Sequence, residues 1–401
     1  MGTVSSTSNI SSAVTAAQTA AEQPRASRLA PVVSVLITII VCVLMLEFGL
    51  RWIGRYHVGD TEGYHAQEGP YYGLRKNAAK RVEWPNIQWD VYTDEYGFRA
   101  QRTGPHDLDS KPYFAFLGAS DVFANGLDYE TSWVGVFASK VAADRMEVAN
   151  LGVGGHHLLE QTARLKLSQT MLKHPPKYVV IALNPLLIGG YDDVHASLVV
   201  KHGEIFEEDN WRVPLVKMVL AGHSAAYSFF RDGIRNTQVR YFQRPDFSLD
   251  FYIQRYSTKL AIRRPEKLAD YFRHLEALEN YVRCIGATPI EIYVPATGGF
   301  LLNKLKAEGK IDGSLFDTKF FRDISQRHAA DVGIKYVDLE PMLQERYDRG
   351  EKLNFDLDAH FNAPTAKAVG EYLYQSLAPG LLAADVNPDV TTTKCQSSSP
   401  R

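Results

Sequence analysis

Apolar residues are spread unevenly along this chain, and their spacing divides it into segments of different character. Residues 1–28 are rich in Ser, Thr and Ala and nearly lack large apolar side chains. Too little surface is available there to offset the entropy of ordering the backbone, so a disordered amino-terminal tail is expected. Leu29 to Leu46 then reads LAPVVSVLITIIVCVLML without a charge. Extended through residue 53, it is long enough to cross a hydrocarbon core of roughly 30 Å, which predicts a transmembrane anchor over residues 29–53. Residues 54–110 have no long apolar period and predict a connecting lobe beside the membrane. Within it, Trp89 to Thr93 is strand-like, ahead of Asp94-Glu95-Tyr96-Gly97-Phe98-Arg99.

From Lys111 onward, short β-rich apolar runs alternate with helical stretches, the pattern of a parallel sheet wrapped by helices. Strands are predicted at Tyr113–Leu117, Met146–Leu151, Tyr178–Leu183, Pro289–Val294 and Ile334–Leu339. The fold expected over residues 111–380 is therefore a three-layer α/β/α sandwich with a five-stranded parallel sheet. A long helical insertion is expected at about 185–285. Its most regular piece, Pro265 to Cys284, puts Leu268, Tyr271, Leu275, Leu278 and Val282 at three- and four-residue spacing before Gly286, which predicts a helix docked on the sheet. The last helix is predicted from Asn362, a good cap with Pro364 in the first turn, and presents Val369, Leu373 and Leu377 to the core. Beyond Pro379 the chain turns polar, and residues 381–401 are expected to be disordered.

Composition narrows the function classes. With 45% hydrophobic and 22% charged residues the chain can bury a large interior, and a net charge of -2 without a basic tract excludes a nucleic-acid surface. Cys42, Cys284 and Cys395 support neither a disulfide framework nor a zinc spacing. Ile39-Ile40-Val41 before Cys42 argue against lipidation. No Walker or dinucleotide glycine pattern follows the first strand, so neither cofactor nor metal is expected. Glu47-Phe48-Gly49-Leu50-Arg51 lacks the small-residue site of a cleaved signal peptide. Arg25 and Arg28 nearly balance Arg51 and Arg55 across the anchor; the orientation taken is amino terminus inside, with the domain extracytoplasmic.

The opening strand runs into Leu117-Gly118-Ala119-Ser120-Asp121-Val122-Phe123-Ala124-Asn125-Gly126. A serine where a parallel strand yields to a glycine-flanked turn stands at the carboxyl edge of the sheet, where open α/β folds bind ligands. Its hydroxyl is a weak nucleophile unless a base, itself held by a third group, takes the proton. Phe355-Asp356-Leu357-Asp358-Ala359-His360-Phe361-Asn362 offers both. In extended chain, residues two apart share a side, so Asp358 reaches the imidazole of His360. Taken singly, Ser120 reads as a turn serine and His360 as a surface histidine before a helix; together they point to nucleophilic catalysis.

With these residues the chain resembles the SGNH/GDSL hydrolase superfamily, from about Val91 to Leu377. Gly118-Ala119-Ser120 is similar to the nucleophile block, with Ala119 where the family has aspartate. Asn150-Leu151-Gly152-Val153-Gly154-Gly155 is similar to the block that supplies an oxyanion-hole glycine, best matched by Gly155. Asn184 matches the third-block asparagine, with Pro185 in place of the usual aspartate, and Asp358 with His360 matches the final block. Gly97-Phe98-Arg99 is similar to the lead-in of anchored bacterial members. The resemblance implies a flavodoxin-like fold and an acyl-Ser120 intermediate formed from an ester substrate. It also implies an oxyanion held by the N–H groups of Ser120 and Gly155 and the Asn184 amide. For an anchored periplasmic protein it implies hydrolysis of, or acyl transfer on, an O-acetylated envelope or exported polysaccharide. Two other classes stay open: a non-catalytic glycan-binding or envelope-assembly factor on this scaffold, which Ala119 keeps in view, and a membrane scaffold for a multi-pass acyl carrier.

Other motifs compete for attention. Ala221-Gly222-His223-Ser224-Ala225-Ala226 imitates a Gly-x-Ser-x-Gly elbow but lacks the last glycine, and Tyr227, Phe229 and Phe230 read better as a helix. His156 and His157 read as surface or helix-capping residues ahead of a role at the substrate mouth or on a metal. Asp192, Asp193, Glu207, Glu208 and Asp209 lack the spacing of a calcium loop. Trp133 and Phe123 read as core residues ahead of walls of a sugar site.

Overall fold

The computed structural model describes residues 29–53, 63–84, 87–102, 107–144, 146–185, 198–201, 204–207, 224–241, 253, 265–355 and 358–382. The expected amino-terminal tail, most of the carboxyl-terminal one, Asp192, Asp193, Glu208, Asp209 and Cys395 lie outside these residues. The first described element is helix α1 (Leu29–Trp52), followed by strands β1 (His65–Glu68), β2 (Tyr71–Leu74), β3 (Ala79–Trp84), β4 (Ile87–Thr93) and β5 (Arg99–Ala100). Next come β6 (Tyr113–Leu117), α2 (Ser120–Phe123), α3 (Trp133–Val141), β7 (Glu147–Asn150), α4 (Leu158–Met171) and β8 (Tyr178–Leu183). The insertion contributes β9 (Leu198–Lys201), β10 (Glu204–Glu207), α5 (Ala225–Tyr241) and α6 (Pro265–Cys284). Then follow β11 (Thr288–Tyr293), α7 (Gly298–Ala307), α8 (Phe320–Asp331), β12 (Lys335–Asp338), α9 (Glu340–Asp348), β13 (Asn354–Phe355), β14 (Asp358–Phe361) and α10 (Ala363–Leu382).

The central sheet runs β12-β11-β8-β6-β7-β5-β4-β3. Its first five strands are parallel and are the predicted ones to within a residue or two at each end. In chain order they lie 2-1-3-4-5, the doubly wound arrangement whose strand order reverses beside the first strand, here β6. The expected five-stranded sheet is corrected to eight, because β5, β4 and β3 of the connecting segment add on antiparallel. These strands carry no continuous apolar run. Only alternate residues of β4, Trp89, Val91 and Thr93, are buried, and their pairing covers the otherwise open edge of β7.

Alternation along the parallel strands makes two cores. Phe114 and Phe116 of β6, with Val180 and Ile292, pack under Trp133 and Phe137 of α3 and Val369, Leu373 and Leu377 of α10. Tyr113, Ala115 and Leu117 face the other way, with Ile181 and Tyr293, under Leu165 of α4 and Tyr271, Leu275, Leu278 and Val282 of α6. Helix α10 is capped as predicted, Asn362 Oδ1 accepting the Thr365 N–H at 3.0 Å. It continues past Pro379 to Leu382 because Leu381 packs on the core and its carbonyl accepts the Tyr178 hydroxyl at 2.8 Å.

In the insertion the expectation of helix holds only in part, because β9 and β10 form a hairpin. Leu198, Val200 and Ile205 pack against Tyr72, Leu74 and Phe123. Helix α1 is long and apolar enough to cross a membrane, and Ala30 to Met45 are exposed along it. Near its end Glu47 accepts the N–H groups of Ala225 and Ala226 at 3.1 and 2.8 Å and the Ser224 hydroxyl at 3.0 Å. Helix α1 thereby caps α5, and its own Arg51 neutralises the capping carboxylate.

Candidate active site

Three loops meet at the carboxyl ends of β6, β7 and β8. The first turns sharply because Gly118 has no side chain: a Cβ there would overlap Val122. Ser120 then opens α2 and is half-buried, and its carbonyl accepts the Asn125 N–H at 3.1 Å. The second loop lies close against it, since a Cβ on Gly152 would come within 2.6 Å of the Phe123 nitrogen. Asn150, fully buried, ties the two together: its amide donates to the Val122 carbonyl at 2.9 Å and its oxygen accepts the Gly152 N–H at 2.9 Å.

Arg99 supports this turn from below. Its guanidinium is buried, stacks 4.6 Å from the centre of the Phe123 ring, and donates to the carbonyls of Phe123, Leu127 and Asp90 at 3.3, 2.8 and 3.0 Å. Burial pulls its pKa down to about 10, so it stays charged at neutral pH. Replacing Arg99 by Met strands these buried carbonyls and is expected to lower stability by about 3 kcal/mol or more; urea unfolding of the purified protein measures it.

The loop after β7 brings Gly154 beside Ser120, a Cβ built there lying 3.9 Å from Ser120 Cβ. Gly155 follows with φ of 82°, a left-handed conformation suited to glycine, and is exposed. Tyr72 pins the loop by donating to the Gly154 carbonyl at 2.8 Å. His156 is buried rather than at the surface: its Nε2 lies 2.7 Å from the Tyr72 carbonyl and therefore carries the proton. It lines a cavity of about 310 Å³ with Tyr71, Tyr72, Glu160 and Arg164. His157 precedes α4, where its N–H donates to Glu160 Oε2 at 3.0 Å.

The histidine arrives on the β13–β14 hairpin, and β14 touches α2. Asp358 Oδ1 accepts the backbone N–H of His360 at 2.8 Å and hydrogen-bonds its Nδ1, leaving Nε2 as the free basic nitrogen. His360 keeps 23% of its side chain exposed and Asp358 17%, enough for a substrate to reach the imidazole. On β13, Phe355 lies over the turn at Gly126.

One site residue was not singled out in the sequence. The Asp121 carboxyl, beside Ser120, is buried, which pushes its pKa up, while the nearby Asn184 side chain and the charge of His360 act against that rise. Its Oδ1 accepts the Val122 N–H at 2.9 Å and its carbonyl accepts the Trp133 indole N–H at 2.8 Å. The signal was present in Gly-Ala-Ser-Asp: the carboxylate missing at Ala119 stands one residue after the serine. Ser120, Asn184 and His360 thus share the neighbourhood of a single buried carboxyl. Ser224 is elsewhere, capping α5, its hydroxyl oxygen also accepting the Tyr227 N–H at 3.1 Å.

No known family pattern matches the sequence, and no curated protein matches it. Solved structures do. An acetyl xylan esterase, AlAXEase, is 14% identical with a TM-score of 0.37, over 66% of this chain and 99% of that one. A member of the lipolytic protein G-D-S-L family from Veillonella parvula is 9% identical with a TM-score of 0.33, over 66% and 98%. The psychrotrophic esterase EstA from Pseudoalteromonas sp. is 14% identical with a TM-score of 0.32, over 67% and 98%. The matched structures include GDSL and SGNH hydrolases. These scores are low, and the architecture stands on the strand order of the chain itself.

Proposed function

We propose that this protein is a serine esterase or acyltransferase of the SGNH type that forms an acyl-Ser120 intermediate. The observation that carries the reading is the meeting of Ser120, Asn184 and the Asp358–His360 pair at the carboxyl edge of the sheet, where its strand order reverses. Ser120 Oγ attacks an ester carbonyl while His360 Nε2 takes its proton, and Asp358 holds the opposite nitrogen and stabilises the imidazolium. The backbone N–H groups of Ser120 and Gly155 and the Asn184 amide receive the oxyanion. An amide nitrogen carries two hydrogens. The Asn184 side chain lies near the Asp121 carboxyl, so one hydrogen turned toward Asp121 leaves the other to face the oxyanion. His360 then protonates the leaving alcohol, and water or an acceptor hydroxyl releases the acyl group.

The long apolar helix α1 fits a domain held at the outer side of a membrane. An O-acetylated envelope or exported polysaccharide is the substrate class proposed there. Labelling with a fluorophosphonate, located by peptide mass spectrometry, tests the chemistry. Modification of Ser120 is expected; an unmodified Ser120 in a folded protein would favour a binding or assembly role on the same scaffold. Replacing Asn184 by Ala is expected to lower kcat about 100-fold to 1000-fold with KM little changed, because an oxyanion donor acts mainly in the transition state. Steady-state kinetics on p-nitrophenyl acetate measure the split.

A further inference from the structure

A second cluster of chemically capable side chains lies on the sheet face covered by α6 and α8. Glu279 projects from α6, Glu291 from the middle of β11 and His328 from α8. Both glutamates are buried, at 1% and 0% exposure, while the His328 side chain keeps 11%. His328 Nε2 lies 2.8 Å from Glu279 Oε1, and one donor atom from each residue lies within 4.8 Å of the other two. The cluster shares no residue with the Ser120 site.

Glu291 makes the arrangement costly as it stands. Neither of its oxygens meets a hydrogen-bond donor, and its polar neighbour is the carboxyl of Glu279. Two carboxylates in contact and out of water cannot both stay charged unless a proton or a cation lies between them. A shared proton satisfies one Glu291 oxygen and leaves the other bare. His328 pairs with Glu279, which holds the imidazole toward its charged form, but the other nearby polar groups do not reach Glu291. Arg283 adds positive potential from α6, but its guanidinium donates to the Val332 carbonyl at 2.9 Å. Tyr336, opposite Glu291 on β12, donates its hydroxyl to the Arg322 carbonyl at 3.3 Å. Ser325, fully buried one turn before His328, has a hydroxyl without a partner.

We propose that Glu279, Glu291 and His328 bind a divalent zinc or manganese ion that fastens α6 and α8 to β11. The donor set fits. Two carboxylates balance the charge of the ion, and His328 offers the Nε2 lone pair once the ion displaces the proton shared with Glu279. Ligands on one tetrahedral zinc lie roughly 3.4 Å apart for bonds of about 2.1 Å, so small side-chain rotations close the present span. Calcium, which takes six to eight oxygen ligands, is a poor match. The partly exposed imidazole gives the ion a way in, and Ser325 is one turn from a ligand where it can hydrogen-bond a bound water.

Metal analysis of the detergent-solubilised full chain, by plasma mass spectrometry after dialysis, tests the site. About one equivalent of zinc or manganese per chain is expected, falling at least about tenfold in Glu291→Gln and in His328→Ala. Returning Zn2+ or Mn2+ to chelator-stripped wild type is expected to raise its unfolding midpoint, and to leave that of Glu291→Gln unmoved. Glu291→Gln keeps the shape of a protonated glutamate, and circular dichroism checks its fold. Should the stripped wild type bind neither ion by calorimetry, the proposal is overturned and the pair holds a proton instead. A Glu291→Gln protein that retains the metal overturns it equally.

Discussion

A Ser120→Ala protein is expected to cleave small acyl esters roughly four orders of magnitude more slowly than the wild type, or worse, with an unchanged unfolding midpoint. The two halves of that expectation have separate causes. The rate falls because the substitution removes the nucleophile of the proposed reaction, leaving only water and the oxyanion donors. Stability holds because the described bonds of Ser120 are made by its backbone, through the carbonyl that accepts the Asn125 N–H, and because alanine suits a helix start next to Ala119. Ester turnover above about a hundredth of the wild-type rate by a folded Ser120→Ala protein would mean that another group does the chemistry.

Removing the base gives the second large effect. His360→Ala is expected to cost about as much as Ser120→Ala, and the double variant no more than either alone, because nucleophile and base act as a unit. Asp358 remains folded in this variant, since it still accepts the backbone N–H of residue 360. The measurement is kcat/KM for the two single variants and the double variant on one ester. If the two losses multiply, Ser120 and His360 work independently and the proposed proton transfer between them is wrong.

Much of the sheet was legible because parallel strands buried on both faces are written as unbroken apolar runs: Tyr113–Leu117 and Tyr178–Leu183 appear in the structure with the same ends. The regular spacing of Tyr271, Leu275, Leu278 and Val282 fixed the docked face of α6 for a similar reason. The three added strands were hidden by physics rather than by irregularity. β3 reads AKRVEW and β5 has only two residues, so their stability comes from pairing with neighbours, which a local pattern does not encode. Trp89 to Thr93 was visible as a strand, but its partner β5 and the connection to β7 depend on a register set in three dimensions.

At the site, the residues expected to do chemistry were readable from their loop positions, whereas their supports were not. Arg99 belongs to a recognisable Gly-Phe-Arg, yet its bonds to Phe123 and Leu127 cross more than twenty positions. Asp121 was hidden because the groups that act on it, Asn184 and His360, lie far from it in sequence. Glu291 interrupts a run of apolar residues in β11, and such an interruption shows its cost only when Glu279 is found against it.

The contact between Glu47 and the start of α5 gives the long apolar helix α1 a duty within the domain. Severing the polypeptide after Trp52 would free the domain and, in the same cut, deprive a remote helix of the negative group that terminates its amide ladder. What reads as a leash in the sequence therefore also works as a structural part, and a shortened chain would leave the start of α5 without its cap.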